Sequence, residues 1–344
     1  MSEQITQAAP PAPAGVDAPP GVIKRMLGGS AGRNLGLVIA LAVLIAVGAI
    51  TAGDRFASLD NVITIIRFAS IIGVISIGMT FVITAGGIDL SVGSVMGLST
   101  VVASLAAVQL ASTQTSWLLM VVIALAVGTL AGFVNGIVIA YGKVVAFMAT
   151  LAMLVGARGL AELISNRSTQ IVNNQDFLGF FRSDLLGLPI LIWIFLVVAI
   201  AGWIVLNRTT FGRRTVAVGG NPEASRLAGI KVKRHMVYIY MIAGLTSGVA
   251  AVMMLGRTTA GTATHGTLYE LDAIAAVVVG GTLLIGGRGT IVGTVLGVLI
   301  FSTLTNVFTQ NNLSTSVQNV AKGVIIVAAV LLQQRFASRG SRGK

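Results

Sequence analysis

The chain has 344 residues, 55% hydrophobic and 10% charged, with a formal net charge of +12. Soluble domains carry about 25% charged residues, so a tenth cannot cover the surface of a soluble fold this size. With no cysteine and only two histidines, His235 and His265, disulfides, thiolate metal sites and thiol catalysis are excluded, and imidazole chemistry has little to build on.

The first 22 residues are Ala/Pro-rich and lack both the basic start and the apolar core of a signal peptide. Residues 1–33 are therefore expected to form a disordered cytoplasmic tail. Apolar runs of about 20 residues, the length that crosses a bilayer core as a helix, then fill most of the chain. They predict spans near 35–52, 62–84, 92–110, 117–140, 144–165, 189–206, 236–256, 270–285, 290–309 and 316–334. The expected fold is all-α and polytopic, with about ten spans in residues 34–334 and a basic cytoplasmic tail over 335–344. The 270–285 block is short for a crossing, and 257–269 is a candidate to dip into the membrane.

Charge orients these spans. The loop 207–235 carries Arg208, Arg213, Arg214, Arg226, Lys231, Lys233 and Arg234 against Glu223 alone, and both ends of the chain are basic. Positive-inside bias places the loop and both termini in the cytoplasm, as an even span count requires. Loops 111–116 and 310–315 have no charge, and loop 166–188 is balanced.

Glycine is abundant, with 42 residues. Gly128, Gly132 and Gly136 form a small-residue ladder, and Gly93/Gly97, Gly244/Gly248 and Gly293/Gly297 repeat the four-residue spacing. Such ladders let helices approach closely in lipid. The stretch Gly86–Gly97 also matches Gly286–Gly297 at both leading glycines and at the Val-Gly-x-Val-x-Gly that follows. This is either a repeated half or a chance match of Gly/Val-rich sequence. Each Gly-Gly pair permits a sharp turn. Asp89 and Ser91, just after the first pair, suit a helix start, where an acid complements the helix dipole. Alternatively Asp89 lines the inner end of a pathway, because intramembrane acids are functional candidates.

Within the cytoplasmic loop, Asn221 suits an N-cap, Pro222 the first helical position, Glu223 the first turn, and Gly229 the position just past the end. A helix of about two turns is predicted there, with Gly219 and Gly220 letting it fold back from the membrane. It is either a surface helix resting on anionic lipid or a rigid peg for a cytosolic partner. The chain has no glycine-rich phosphate loop ending in Lys-Ser/Thr, so any ATP that drives it is bound by another polypeptide.

Elsewhere, Arg158 and Glu162 are spaced to pair on one helix face. Arg67 and Lys322 are placed to snorkel to the outer interface. Asn135 is a polar group inside a span, and Glu270 and Asp272 suit the start of a helix.

Glu223-Ala224-Ser225 with Gly229 resembles the Glu-Ala-Ala…Gly coupling motif of ABC importer permeases, with Ser for the second Ala. Gly86-Gly87-Ile88-Asp89-Leu90-Ser91, Phe211-Gly212-Arg213-Arg214, Tyr269-Glu270-Leu271-Asp272 and Gly286-Gly287-Arg288-Gly289 extend the likeness to the ribose-type branch of bacterial sugar permeases, over about residues 35–334. Two departures are the missing Pro near Val144-Val145 and Leu268 in place of a Gly before Tyr269. The resemblance implies a multi-pass subunit of the bacterial inner membrane that imports a monosaccharide or related polyol and is not itself an enzyme. It also implies a second permease copy, identical or different, a cytosolic ATPase that holds ATP and Mg, and an extracytoplasmic sugar-binding protein. Residues 219–229 (Gly219, Gly220, Asn221, Pro222, Glu223, Ala224, Arg226, Leu227 and Gly229) would engage the ATPase. Asp89, Ser91, Asn135, Glu270 and Asp272 are candidates for translocation or gating. The alternative is an ion-coupled secondary transporter, which needs ionisable groups near mid-membrane. The acids here sit near predicted span ends.

Overall fold

A computed structural model describes residues 30–341; the rest of both predicted tails lies outside it. Helix α1 (Ser30–Ala52) leads through a short α2 (Asp54–Ala57) to α3 (Leu59–Thr84). The predicted 92–110 span is not one straight helix. It is α4 (Val92–Ala103) and α5 (Ala106–Gln114), bent by 58° at Ser104-Leu105. Helices α6 (Leu118–Ala140) and α7 (Ala146–Ser165) follow. A short α8 (Gln175–Arg182) and α9 (Ile190–Arg208) come next. The basic loop holds α10 (Thr210–Gly220) and α11 (Pro222–Leu227) before the long α12 (Val232–Thr258). Then come α13 (Tyr269–Val279), α14 (Ile291–Gln310) and α15 (Thr315–Ser341).

Seven of the described helices are long and apolar enough to cross a membrane, and the bent pair α4–α5 makes an eighth candidate. The predicted 270–285 span is corrected: α13 has 11 residues, about 16 Å of helix against a bilayer core of about 30 Å. Gly280 and Gly281 end it, and irregular backbone precedes it.

The core is built on α3 and α12, most of whose residues are buried. Ile75, Met79, Phe81, Ile239, Tyr240 and Met253 form its centre. Helix α12 packs on α6 through the predicted ladder. A Cβ on Gly128 would overlap Gly244 O and sit 2.8 Å from Gly248 N, and one on Gly136 would sit 2.7 Å from Val237 Cα. Lipid offers no hydrophobic drive for helix association, so this backbone-to-backbone fit supplies it.

The segments predicted on the outer face meet one another. Two-residue strands β1 (Gln170–Ile171) and β4 (Ala260–Gly261) pair antiparallel, joining loop 166–188 to the segment after α12. A second small pair, β2 (Asp184–Leu185) with β3 (Leu188–Pro189), closes the turn into α9. Helix α8 is capped by Asn174, whose side chain accepts from Phe177 N at 3.0 Å. Phe177, Phe180 and Phe181 cluster on Trp117 at the start of α6, anchoring this outer layer to the bundle.

A coupling loop joined to a glycine junction

Helix α11 forms where the local signals place it. Asn221 Oδ1 accepts from Ala224 N at 2.9 Å, and Pro222 occupies the first turn, where its missing N–H costs nothing. At the other end Gly229 has φ +83°, and Ile230 N donates to Ser225 O at 3.0 Å, satisfying a terminal carbonyl. Ser225, the departure from the Ala of the motif, is buried, so a small residue is what the position requires. Glu223 and Arg226 form a forked ion pair at 2.5 to 3.2 Å in the open. The Arg226 hydrogen bond, then its charge, holds the Glu223 carboxyl below the ordinary value, and the same contacts raise Arg226. Leu227 is 75% exposed, a large apolar side chain standing free on a basic cytosolic loop.

Gly219 and Gly220, expected to let the short helix fold back from the membrane, are the last two residues of α10. Their neighbours are the other two glycine pairs. A Cβ on Gly219 would overlap Thr84 O and lie 2.7 Å from Gly287 N. One on Gly286 would lie 2.7 Å from Gly219 O and 2.9 Å from Gly86 Cα. Gly287 N donates to Thr84 O at 2.9 Å. Gly86 and Gly286, at φ +83° and +84°, turn the chain in a conformation that side chains disfavour. The end of α10 is thus wedged between the C-terminus of α3 and the turns that lead into α4 and α14. Three Gly-Gly pairs that the sequence scatters over 200 positions form one contact.

The two similar stretches also share a task. Gly93 and Gly97 of α4 face backbone at Gly266, Ala263 and His265, while Gly293 and Gly297 of α14 face Gly280 and Ala276. The two copies hold the same segment, 263–280, between them. This segment descends as irregular chain and continues as α13.

Asp89, Ser91 and Asn135 come together as one buried network. Asp89 Oδ1 accepts from Ser91 N at 2.8 Å and from Ser91 Oγ at 2.6 Å, and Asn135 Nδ2 donates to Ser91 Oγ at 2.9 Å. The capping reading of Asp89 is realised through Ser91, and Asn135 ties it to α6. Glu270 and Asp272 lie apart from this network, in the first turn of α13. Glu270 is buried beside Gly93, with no hydrogen-bond partner for Oε2 among the described residues. Asp272 pairs with Lys322 of α15 at 3.0 and 3.1 Å. Lys322 therefore does not snorkel: a half-buried carboxylate faces it. Arg158 does not pair with Glu162 either. It donates to Ala263 O, and to His265 O at 2.9 Å, pinning the irregular segment, while Glu162 meets Arg167 at 3.4 Å. Spacing along one helix named the wrong partners because the true ones come from distant chain.

A family model described as a branched-chain amino acid transport system / permease component matches residues 61–330. The chain belongs to this permease family. Within it, the chain is 39% identical to the ribose import permease of Haemophilus influenzae over 305 residues, 88% of this chain and 93% of that one. It is 40% identical to the ribose import permease of Bacillus subtilis, over 88% of this chain and 93% of that one. With the L-arabinose transport system permease of Escherichia coli the identity is 37%, over 89% of this chain and 92% of that one. No solved structure matches the chain. This is a ribose-type ABC permease, a multi-pass transport subunit of the inner membrane and not an enzyme. Its family implies a system with an ATPase and a binding protein.

Proposed function

We propose that this permease imports a pentose or a related polyol, working as one of two permease copies. A separate ATPase, which holds the ATP and Mg, drives it through α11, and an extracytoplasmic binding protein delivers the sugar to the surface formed by loop 166–188 and segment 257–268. The ribose and L-arabinose permeases it resembles over most of its length support the substrate class. A helix pre-formed in the cytosolic loop, with an exposed Leu227 and a rigid connection to the glycine junction, carries the reading. Docked on the ATPase, α11 transmits movement through α10 to the Gly86 and Gly286 turns, and so to α4 and α14. Those helices clasp 263–280, so relative motion between them shifts Glu270 and Asp272 and opens the pathway to one side at a time. Asp89, Ser91 and Asn135 keep the inner end of α4 registered on α6 during that motion.

The test is reconstitution of the chain in vesicles with its ATPase and binding protein, measuring uptake of labelled D-ribose and L-arabinose with and without ATP. Uptake that needs ATP and both partners is expected. Uptake driven by a proton or sodium gradient with no ATPase present would overturn the proposal.

A further inference from the structure

A cavity of about 520 Å³ opens among α3, α13, α14 and α15, in the half of the bundle away from the glycine junction. Its rim holds Asp60 and Asn61 in the first turn of α3 and Gln310 at the end of α14, and it reaches down to Ile72. Ile72 lies twelve helical steps beyond Asp60, a depth of about 18 Å. The basic loop lies at the other ends of these helices, so the cavity opens toward the outer side. Small-molecule sites span about 300–1,000 Å³, and this one has room for a monosaccharide with some of its water.

Its walls carry the groups that a neutral polyhydroxylated solute needs. Asn61 is held by Asn306 at 2.8 and 3.0 Å and by Gln310 at 2.9 Å. Each carboxamide nitrogen has two donors. Asn306 and Gln310 each spend one on Asn61, which leaves the other for a hydroxyl oxygen. Deeper in the wall, Ser302 is 7% exposed, and its hydroxyl has no hydrogen-bond partner among the described residues. An unmet buried hydroxyl costs about 1–3 kcal/mol, so a ligand hydroxyl there is favoured. The Asp272–Lys322 pair adds acceptors and donors but no net charge, which selects against ions. Phe301 and Tyr269 supply apolar faces for the C–H side of a sugar ring.

We propose that this cavity is a holding site where a sugar released on the outer side rests, bonded to Ser302, Asn306 and Gln310, before segment 263–280 moves. The proposal rests on the import reading above.

The natural lack of cysteine makes the test direct. Ser302→Cys is expressed with the ATPase, and right-side-out vesicles are treated with the small cationic thiol reagent MTSET. Labelling is expected, and it should slow about fivefold when D-ribose or L-arabinose is present at about four times its dissociation constant, but not with glycine betaine at equal concentration. Thr305→Trp, which fills the cavity, should cut uptake about tenfold, a loss of about 1.4 kcal/mol, while the ATPase still co-purifies. Unchanged labelling with sugar, together with normal uptake by Thr305→Trp, would overturn the holding site and leave the import reading standing. Protection by pentose in a complex that imports none would support the site and remove the import reading.

Discussion

Alanine at Gly219 isolates the glycine junction. The new Cβ would overlap Thr84 O and lie 2.7 Å from Gly287 N, and both are backbone atoms that cannot swing aside. Overpacking of this kind costs about 1–3 kcal/mol. Relief requires α10 to move off α3, which strains the Gly287 N–Thr84 O hydrogen bond of 2.9 Å, worth about 0.5–1.5 kcal/mol. The expected penalty is then about 1.5–4.5 kcal/mol, summing those ranges. Gly220 is the internal control: a Cβ there meets only Gly287 Cα at 4.0 Å, and Gly→Ala in a compatible helix position stabilises by about 0.4–1 kcal/mol. Thermal unfolding of the detergent-purified permease–ATPase complex reads both variants. Gly219→Ala should lower the midpoint by several degrees and Gly220→Ala should not. ATP hydrolysis in the Gly219→Ala complex should continue with little sugar uptake, because the strained link no longer carries movement to α4 and α14. Equal midpoints for the two variants, or full uptake by Gly219→Ala, would refute the packing argument.

Three further outcomes are expected. Asp272→Asn or Lys322→Gln alone leaves an uncompensated charge and should destabilise by up to about 3 kcal/mol, whereas the double variant Asp272→Asn/Lys322→Gln should recover most of it, as read by a double-mutant cycle in thermal unfolding. Asn221→Ala removes the cap of α11, worth about 1 kcal/mol, and should weaken ATPase co-purification by about fivefold with membrane insertion unchanged. Glu223, held below the ordinary carboxyl value by Arg226, stays ionised as pH falls and loses its pairing only below that lowered value. ATPase binding should therefore be flat between about pH 8 and about pH 5 as far as this group is concerned, and a break within that window absent from Glu223→Gln would contradict it.

What the sequence made legible was local. The α11 helix follows from Asn221, Pro222 and Gly229, whose capping roles depend on neighbours a few residues away. The α6–α12 ladder follows from glycine spacing on one face, although not its partner. The irregular descent into α13 was foreshadowed by an apolar block too short to span. Hidden were facts that depend on which distant segments touch. No local rule tells Lys322 to meet Asp272 or Arg158 to hold the carbonyls of Ala263 and His265. The meeting of Gly86, Gly219 and Gly286 was equally out of reach, since each pair reads alone as an ordinary turn. The matching 86–97 and 286–297 stretches were the available signal, because two copies of one pattern invite the question of whether they bind a common element. Helix α10 was missed because Arg213 and Arg214 interrupt a short segment whose apolar face is narrow.

Cysteine at position 227 probes the central relation, a cytosolic peg that feels the ATPase. In Leu227→Cys, a membrane-impermeant maleimide should react in inside-out vesicles but not in intact cells, and added ATPase should shield the thiol. Labelling of intact cells, or the same rate of labelling with and without the ATPase, would contradict the account.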